Sequence, residues 1–334
     1  MKIKTLIFTL VISVFYSLNI SAEEHANHGE KDIKTEIKET ISHHLKDSHD
    51  FVLTHNLSFP LPVILYTDGN LDIFSSSKFN HGTTSVTIED RVYSLVHGHI
   101  IEASGLHPID FSITKNVAFI MIVFLMMMFM FTRMAKSYKN SALPSGMGRL
   151  LEPIVLYIRD DIAIPNIGEK HYKKYMSYLL TVFFFIWIIN LFGLTPLGVN
   201  VTNNIAVTLS LALITYVLTT ITANKSYWGH IFWMPGVPAP MKLILAPIEL
   251  LGTIIKPFSL MIRLYANITA GHIVLMSILG LMFVFKGWIG SSLSFGLAFA
   301  LSLLELLVAA LQAYIFTMLS ALYFGSAVEE HNDH

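Results

Sequence analysis

Residues 241–285 read MKLILAPIELLGTIIKPFSLMIRLYANITAGHIVLMSILGLMFVF, an apolar run about twice the ~20 residues that a perpendicular helix needs to cross the hydrocarbon core. A second run of the same kind, from about Ile289 to Val328, follows after only Lys286-Gly287-Trp288. Segments this long must tilt strongly, break, or run partly along the membrane plane. The sequence therefore predicts two long, strongly tilted C-terminal helices that form a hairpin.

Upstream lie three shorter apolar stretches, which brings the expected crossings to five, at about 117–135, 175–192, 205–223, 241–285 and 289–328. The composition agrees: of 334 residues, 53% are hydrophobic and 13% charged, too little polar surface to cover a soluble globule. The expected class is an all-α integral membrane protein. A net charge of -1 gives no argument for a nucleic-acid partner, and with no cysteine, disulfides, thiolate metal sites and cysteine catalysis are excluded.

Arg133, Lys136, Lys139, Arg149, Arg159, Lys170, Lys173 and Lys174 follow the first span, and the positive-inside rule turns this stretch to the cytoplasm. Between Gly148 and Arg159, Leu150, Leu151, Ile154, Val155 and Ile158 alternate with polar residues in the manner of a short surface helix. Residues 193–204 connect the second and third spans without a charge, residues 224–240 form the next cytoplasmic loop, and the C-terminus is expected in the cytoplasm.

Ahead of the membrane domain (116–334), Lys2 and Lys4 precede an apolar run from Leu6 to Leu18, the layout of a secretory signal peptide over residues 1–22. Residues 23–115 then form a polar periplasmic N-terminal extension, a small exported α+β segment that holds ten of the fifteen histidines. Ile33, Ile37, Ile41 and Leu45 predict an amphipathic helix. Val63–Tyr66, the turn Thr67-Asp68-Gly69-Asn70 and Leu71–Phe74 predict a β-hairpin. His25 with His28, His43 with His44, and His97 with His99 lack a fixed ligand geometry, so no metal site is assigned to them.

Within the two long segments stand Glu249, Lys256, Arg263, His272 and Glu305, each costing about 2.5–3.5 kcal/mol at the bilayer centre. At 100° per residue, Glu249 and Lys256 fall within about 40° of Arg263, with Asn267 a turn further, whereas His272 points the opposite way. On the last segment Glu305, Gln312 and Tyr323 share a face, while the small residues Ala266, Ala270 and Gly271 let another helix approach Arg263. One reading pairs Arg263 internally with Glu249 or Glu305. The other has the permanently charged guanidinium draw a passing carboxylate into its ionised form, an attraction of about 4 kcal/mol at ~4 Å and an effective dielectric near 20. His272 and Glu305 form either a buried hydrogen-bonded pair or a proton wire.

Lys256-Pro257-Phe258-Ser259-Leu260-Met261-Ile262-Arg263-Leu264-Tyr265-Ala266-Asn267-Ile268-Thr269-Ala270-Gly271-His272 closely resembles the signature of the subunit a family of rotary ATP synthases. So do Leu311–Phe316, Asn190–Pro196 and Asn203–Thr208, and the similarity extends from about Asp110 to the end. The resemblance implies a non-catalytic proton-translocating stator subunit of the Fo sector, in a bacterial inner membrane, without a cofactor. Its implied partners are the c-ring, the subunit b peripheral stalk and the other synthase subunits. Arg263 then resembles the essential stator arginine, with Asn267 and Gln312 beside it facing the ring. Two offset half-channels would reach it, one near His272, Glu305 and Tyr323, the other near Glu249. Many bacterial members carry an acid where this chain has His272 and a histidine where it has Glu305, so the pair is exchanged here. The rival readings are a secondary transporter, which predicts broken helices in two related halves, and a non-conducting membrane scaffold.

Overall fold

The computed structural model describes residues 47–329, apart from 55–56, 83, 89–90, 97, 106–107, 141–145, 196–198, 235–236 and 285–287. The expected signal peptide and the helix through Ile33 and Leu45 lie outside the described residues. Residues 50–110 fold as strands: β1 (Asp50–Thr54), β2 (Leu57–Pro60), β3 (Pro62–Thr67), β4 (Asn70–Ser75), β5 (Val86–Ile88), β6 (Arg91–Val96), β7 (His99–Glu102) and β8 (Ile109–Asp110). They pair antiparallel as β1-β2, β4-β3-β8 and β5-β6-β7. The expected hairpin is β3–β4, in register from Pro62↔Ser75 to Thr67↔Asn70. Its two turn residues, Asp68 and Gly69, have φ of 48° and 84°, the primed-turn geometry that suits the twist of a hairpin.

Val63, Leu65, Phe74, Phe79, Val86, Tyr93 and Ile100 form the core of this small unit. A polar node crosses it: Asp72 takes Arg91 Nη1 at 2.6 Å and the Tyr93 hydroxyl at 2.7 Å. Both bonds fall on Oδ2, and they answer an acid that would otherwise be costly to bury.

Helices make up the rest: α1 (Lys115–Asn140), α2 (Met147–Tyr157), α3 (Ile164–Ile167), α4 (Tyr172–Gly193), α5 (Ile205–Thr222), α6 (Lys225–Phe232), α7 (Ala239–Val284) and α8 (Trp288–Val328). Five of the described helices are long and apolar enough to cross a membrane: Lys115–Tyr138, Tyr172–Gly193, Ile205–Thr222, Pro240–Leu281 and Ser292–Val328. At 1.5 Å per residue, α7 is about 69 Å long and α8 about 62 Å, twice the ~30 Å core. Both are continuous, α7 despite Pro247 and Pro257. Together they form the long hairpin that the sequence predicts.

The surface helix begins where expected but does not stop at Arg159. A π-turn, Ile158–Ala163, carries it into α3, so that the helical path runs to Ile167. Leu151, Ile158, Ile162, Ala163 and Ile167 are buried on its inner side, against α4 and α8. The crossing of α3 and α8 is so close that a Cβ on Gly325 would lie 1.8 Å from the Asn166 carbonyl oxygen. The loop after α5 is also more ordered than its prolines suggest, since it contains α6.

At that same end, Asn224 closes the C-terminus of α8: its backbone N–H donates to Ala327 O at 2.8 Å and its side-chain amide to Val328 O at 3.0 Å. These bonds satisfy carbonyls that a helix end leaves free. One end of the bundle therefore gathers α2, α3, α6 and the end of α8. The other carries the strands, the start of α1 and the start of α5.

Candidate functional site: an exposed arginine between two clefts

Helix α7 has two unlike faces. Leu260, Leu264, Ile268 and His272 recur every four residues and are buried, at 8% exposure or less. Around the cylinder, Arg263, Ala266, Asn267 and Ala270 are exposed. Among the described residues Arg263 forms no ion pair; neither Glu249 nor Glu305 reaches it. The phenol of Tyr323 is within its electrostatic reach. The internal pairing weighed from the sequence is thus not what the side chains adopt.

The buried face holds the second charge cluster. His272 Nδ1 lies 2.7 Å from Glu305 Oε1, with the two residues 8% and 6% exposed. The approach has ion-pair distance without hydrogen-bond geometry, and both carboxylate oxygens lack a hydrogen-bond partner among the described residues. Glycines make the room. A Cβ on Gly271 would sit 3.1 Å from Glu305 Oε1, and one on Gly193 of α4 would sit 3.5 Å from His272 Nε2. Nearby, Thr269 donates to Asn203 Oδ1, and Thr202 donates to Asn190 Oδ1 at 2.9 Å.

Toward the opposite end of α7, Lys256 Nζ stands over the Tyr323 ring, 5.5 Å from its centroid. Glu249 is within electrostatic reach of both Lys256 and Tyr227. Lys256 and Tyr323 border a cleft with Thr215, Thr219, Tyr227 and Thr253. It holds about 10 Å³, the space of a single water. Thr215 and Thr219 donate back to the carbonyls of Leu211 and Thr215, so this stripe of α5 is satisfied within its own helix and can pack closely.

A larger cleft, about 200 Å³, lies at the other end of α5 and is lined by Asp47, Asn116, Asn203, Asn204, Ile205 and Tyr265. Arg263 falls between the two clefts along α7, seven residues beyond Lys256 and two before Tyr265. Gln312 differs from expectation. The resemblance placed it beside Arg263 on the ring-facing surface, but it is 2% exposed, with its Nε2 unpaired among the described residues. It belongs to the inward face of α8, with Glu305, Ala309, Ala313 and Phe316. Sequence reasoning did not single out Asp47, Asn116, Thr202 or Thr269; single uncharged or surface polar residues of these kinds are too common to stand out by type.

The family model of the ATP synthase A chain matches residues 117–325. A second model, described only as a domain of unknown function, matches residues 40–116. ATP synthase subunit a of Chloroherpeton thalassium is 43% identical over 248 residues, covering 72% of this chain and 73% of that one. The subunit a of a Chlorobium phaeobacteroides strain is 44% identical over 278 residues, with coverages of 76% and 81%. That of Myxococcus xanthus is 41% identical over 245 residues, covering 71% and 81%. With a match across α1 to α8 and the arginine-bearing helix within it, the chain belongs to the ATP synthase A chain family.

Proposed function

We propose that this chain is the proton-translocating stator subunit of a rotary ATP synthase, without catalysis of its own, in which Arg263 meets the carboxylates of a rotating c-ring. One observation carries the reading: a cation that is never deprotonated stands exposed on a largely apolar helix, without an ion-pair partner among the described residues. Its counter-charge must come from elsewhere. Ala266 and Ala270 beside it keep the surface low enough for a ring helix to approach, and Asn267 offers that helix a polar contact.

The two clefts support a pair of offset half-channels. Protons pass between the larger cleft and the ring by way of Thr269, His272 and Glu305, and between the ring and the opposite face by way of Lys256, Tyr323 and Glu249. Arg263 separates them electrostatically, since a proton moving directly between them would have to pass the guanidinium. The exchange of acid and imidazole at His272 and Glu305 leaves one proton donor-acceptor of each kind in contact. Buried Gln312 positions α8 against the bundle instead of lining the ring surface.

Basic residues at the end that holds α2 and α3 orient that end to the cytoplasm. The strands and the larger cleft then face the periplasm of a bacterial inner membrane, and a peripheral stalk holds the subunit against rotation. Continuous α7 and α8 argue against a transporter built from broken helices. The test is Arg263→Ala and Arg263→Lys in the complex reconstituted into vesicles. ATP-driven proton pumping should be lost in both with the complex intact, because a buried lysine amine is a point donor that can shed its proton. Pumping that survives either change overturns the reading, and a complex that falls apart favours the scaffold.

A further inference from the structure

The periplasmic extension contributes a carboxylate to the wall of the larger cleft. Asp47 Oδ1 accepts from Ser48 N at 2.9 Å and from Asn116 N, in the first turn of α1, at 3.2 Å. The segment is fastened there by Lys115 N, which donates to Ser48 O at 2.8 Å, and by His49, whose Nε2 lies 3.1 Å from Asp110 Oδ2. Across the cleft stand Asn116, Asn203, Asn204, Ile205 and Tyr265. The space, about 200 Å³, accommodates several waters at about 30 Å³ each.

Two features aim this cleft inward. Asn116 is 5% exposed and its Oδ1 has no partner among the described residues, the kind of buried acceptor that ordered water normally satisfies. Asn203 receives the Thr269 hydroxyl, and Thr269 lies one helical turn before His272. Polar groups therefore run from Asp47 to the His272–Glu305 pair, and among the described residues Asp47 is the one carboxylate that lines the cleft.

We propose that Asp47 is the outermost proton-binding group of the half-channel on this face, so that the extension serves as its proton-collecting mouth. The carboxylate takes a proton from hydronium, releasing water, and returns it to a water in the cleft; no other bond is made or broken. The groups that face Asp47 are the Lys115 ammonium of α1 and the Tyr265 phenol of α7, while the turn that leads into α5 presents the amides of Asn203 and Asn204. His49 and Asp110 are engaged with each other. The inference rests on the reading of the chain as a proton-conducting stator.

Asp47→Asn keeps an oxygen that can accept the Asn116 N–H but cannot titrate, and Asp47→Glu restores titration. The measurement is ATP synthesis by the reconstituted complex under an imposed proton gradient, as a function of pH on the extension side. Asp47→Asn should lower the rate on the order of tenfold near pH ~8, where protons are scarce and local capture limits delivery. The deficit should vanish toward pH ~5, and Asp47→Glu should recover the wild-type profile. A loss that is uniform with pH, or an Asp47→Asn profile identical to wild type, overturns the inference. Arg263→Ala in the same vesicles separates the two levels: if it synthesises ATP the stator reading fails, and if it is inactive while Asp47→Asn matches wild type only the role of Asp47 fails.

Discussion

Along α7, two intramembrane charges nine residues apart live in opposite circumstances. His272 is 8% exposed and pressed against Glu305 at 2.7 Å; Arg263 is exposed and has no ion pair among the described residues. The difference separates what the chain completes alone from what it leaves for a partner. A closed pair has already met the cost of burial within one fold, whereas the open arginine is stable in a membrane only when another subunit answers it. The largest test breaks the closed side. His272→Ala leaves the Glu305 carboxylate buried without its neighbour, a change that costs about 3–5 kcal/mol unless the acid takes up a proton. Proton pumping should fall about 100-fold or more, the scale of losing a positioned acid-base group. Exchanging the two residues, His272→Glu with Glu305→His, should retain most of the pumping. Equal damage from the exchange and from His272→Ala would show that contact between an acid and an imidazole is not what the site needs.

Shape gives the same contrast a second, smaller test. Where α8 crosses α3, Gly325→Ala would bring a methyl group to within 1.8 Å of the Asn166 carbonyl oxygen, so the two backbones must separate. The expected cost is about 1–3 kcal/mol, typical of overpacking, read as a lower melting midpoint of the detergent-solubilised complex. Gly229→Ala, where no atom lies within 4 Å of the added carbon, should melt like wild type. On the open stripe of α7, Ala266→Leu should change stability by no more than about 0.5 kcal/mol and still slow pumping, since the added bulk stands on the face proposed to meet a ring helix. If Ala266→Leu destabilised the chain as much as Gly325→Ala, the stripe would not be a partner surface.

Much of this was legible in the sequence for a simple reason. Apolar runs longer than a bilayer crossing have few other uses, so the five spanning helices stood out, and charges inside them were conspicuous by cost alone. The opposition of Arg263 and His272 followed from helical geometry, as did the shared face of Glu305 and Gln312. Asp68-Gly69 announced the β3–β4 hairpin because few other dipeptides supply positive φ so readily. The sheet β5-β6-β7 was missed, its strands being only three to six residues long with mixed burial patterns. The extension of the surface helix through the π-turn was hidden by Pro165, which reads as a terminator but occupies the first turn of α3, where it is tolerated. Burial of Gln312 depended on how far α8 is rotated against α4, a tertiary quantity that spacing along one helix does not fix. The larger cleft joins Asp47 to Asn116, Asn203 and Tyr265, residues far apart in the chain and unremarkable one by one.

At the water's edge the contrast recurs in milder form: Asp47 opens onto the cleft, while Asp110 is closed against His49. Burial alone would raise the Asp110 carboxyl, but hydrogen bonds from His49 and Ser112, and the charge of His49, outweigh it and bring the group down to about 2. With a folded value below the ordinary carboxylate value of about 3.9, its contribution to stability is complete above that pH and is lost as pH falls through about 2. β8 pairs with β3 through Leu65↔Asp110 and Tyr66↔Ile109, so amide exchange at these strands reports the loss. After correction for intrinsic rates, exchange in the full-length protein should quicken as pH drops from about 4 toward 2. Asp110→Asn should exchange faster at neutral pH already and show no further step in acid. The effect should be the smallest of those considered, because the Asp110 side chain is 34% exposed and water screens such pairs strongly. That weakness is itself informative: water can stand in for a missing partner at the Asp110 side chain, 34% exposed, whereas losing one member of the His272–Glu305 contact, at 8% and 6% exposure, leaves the other buried and uncompensated.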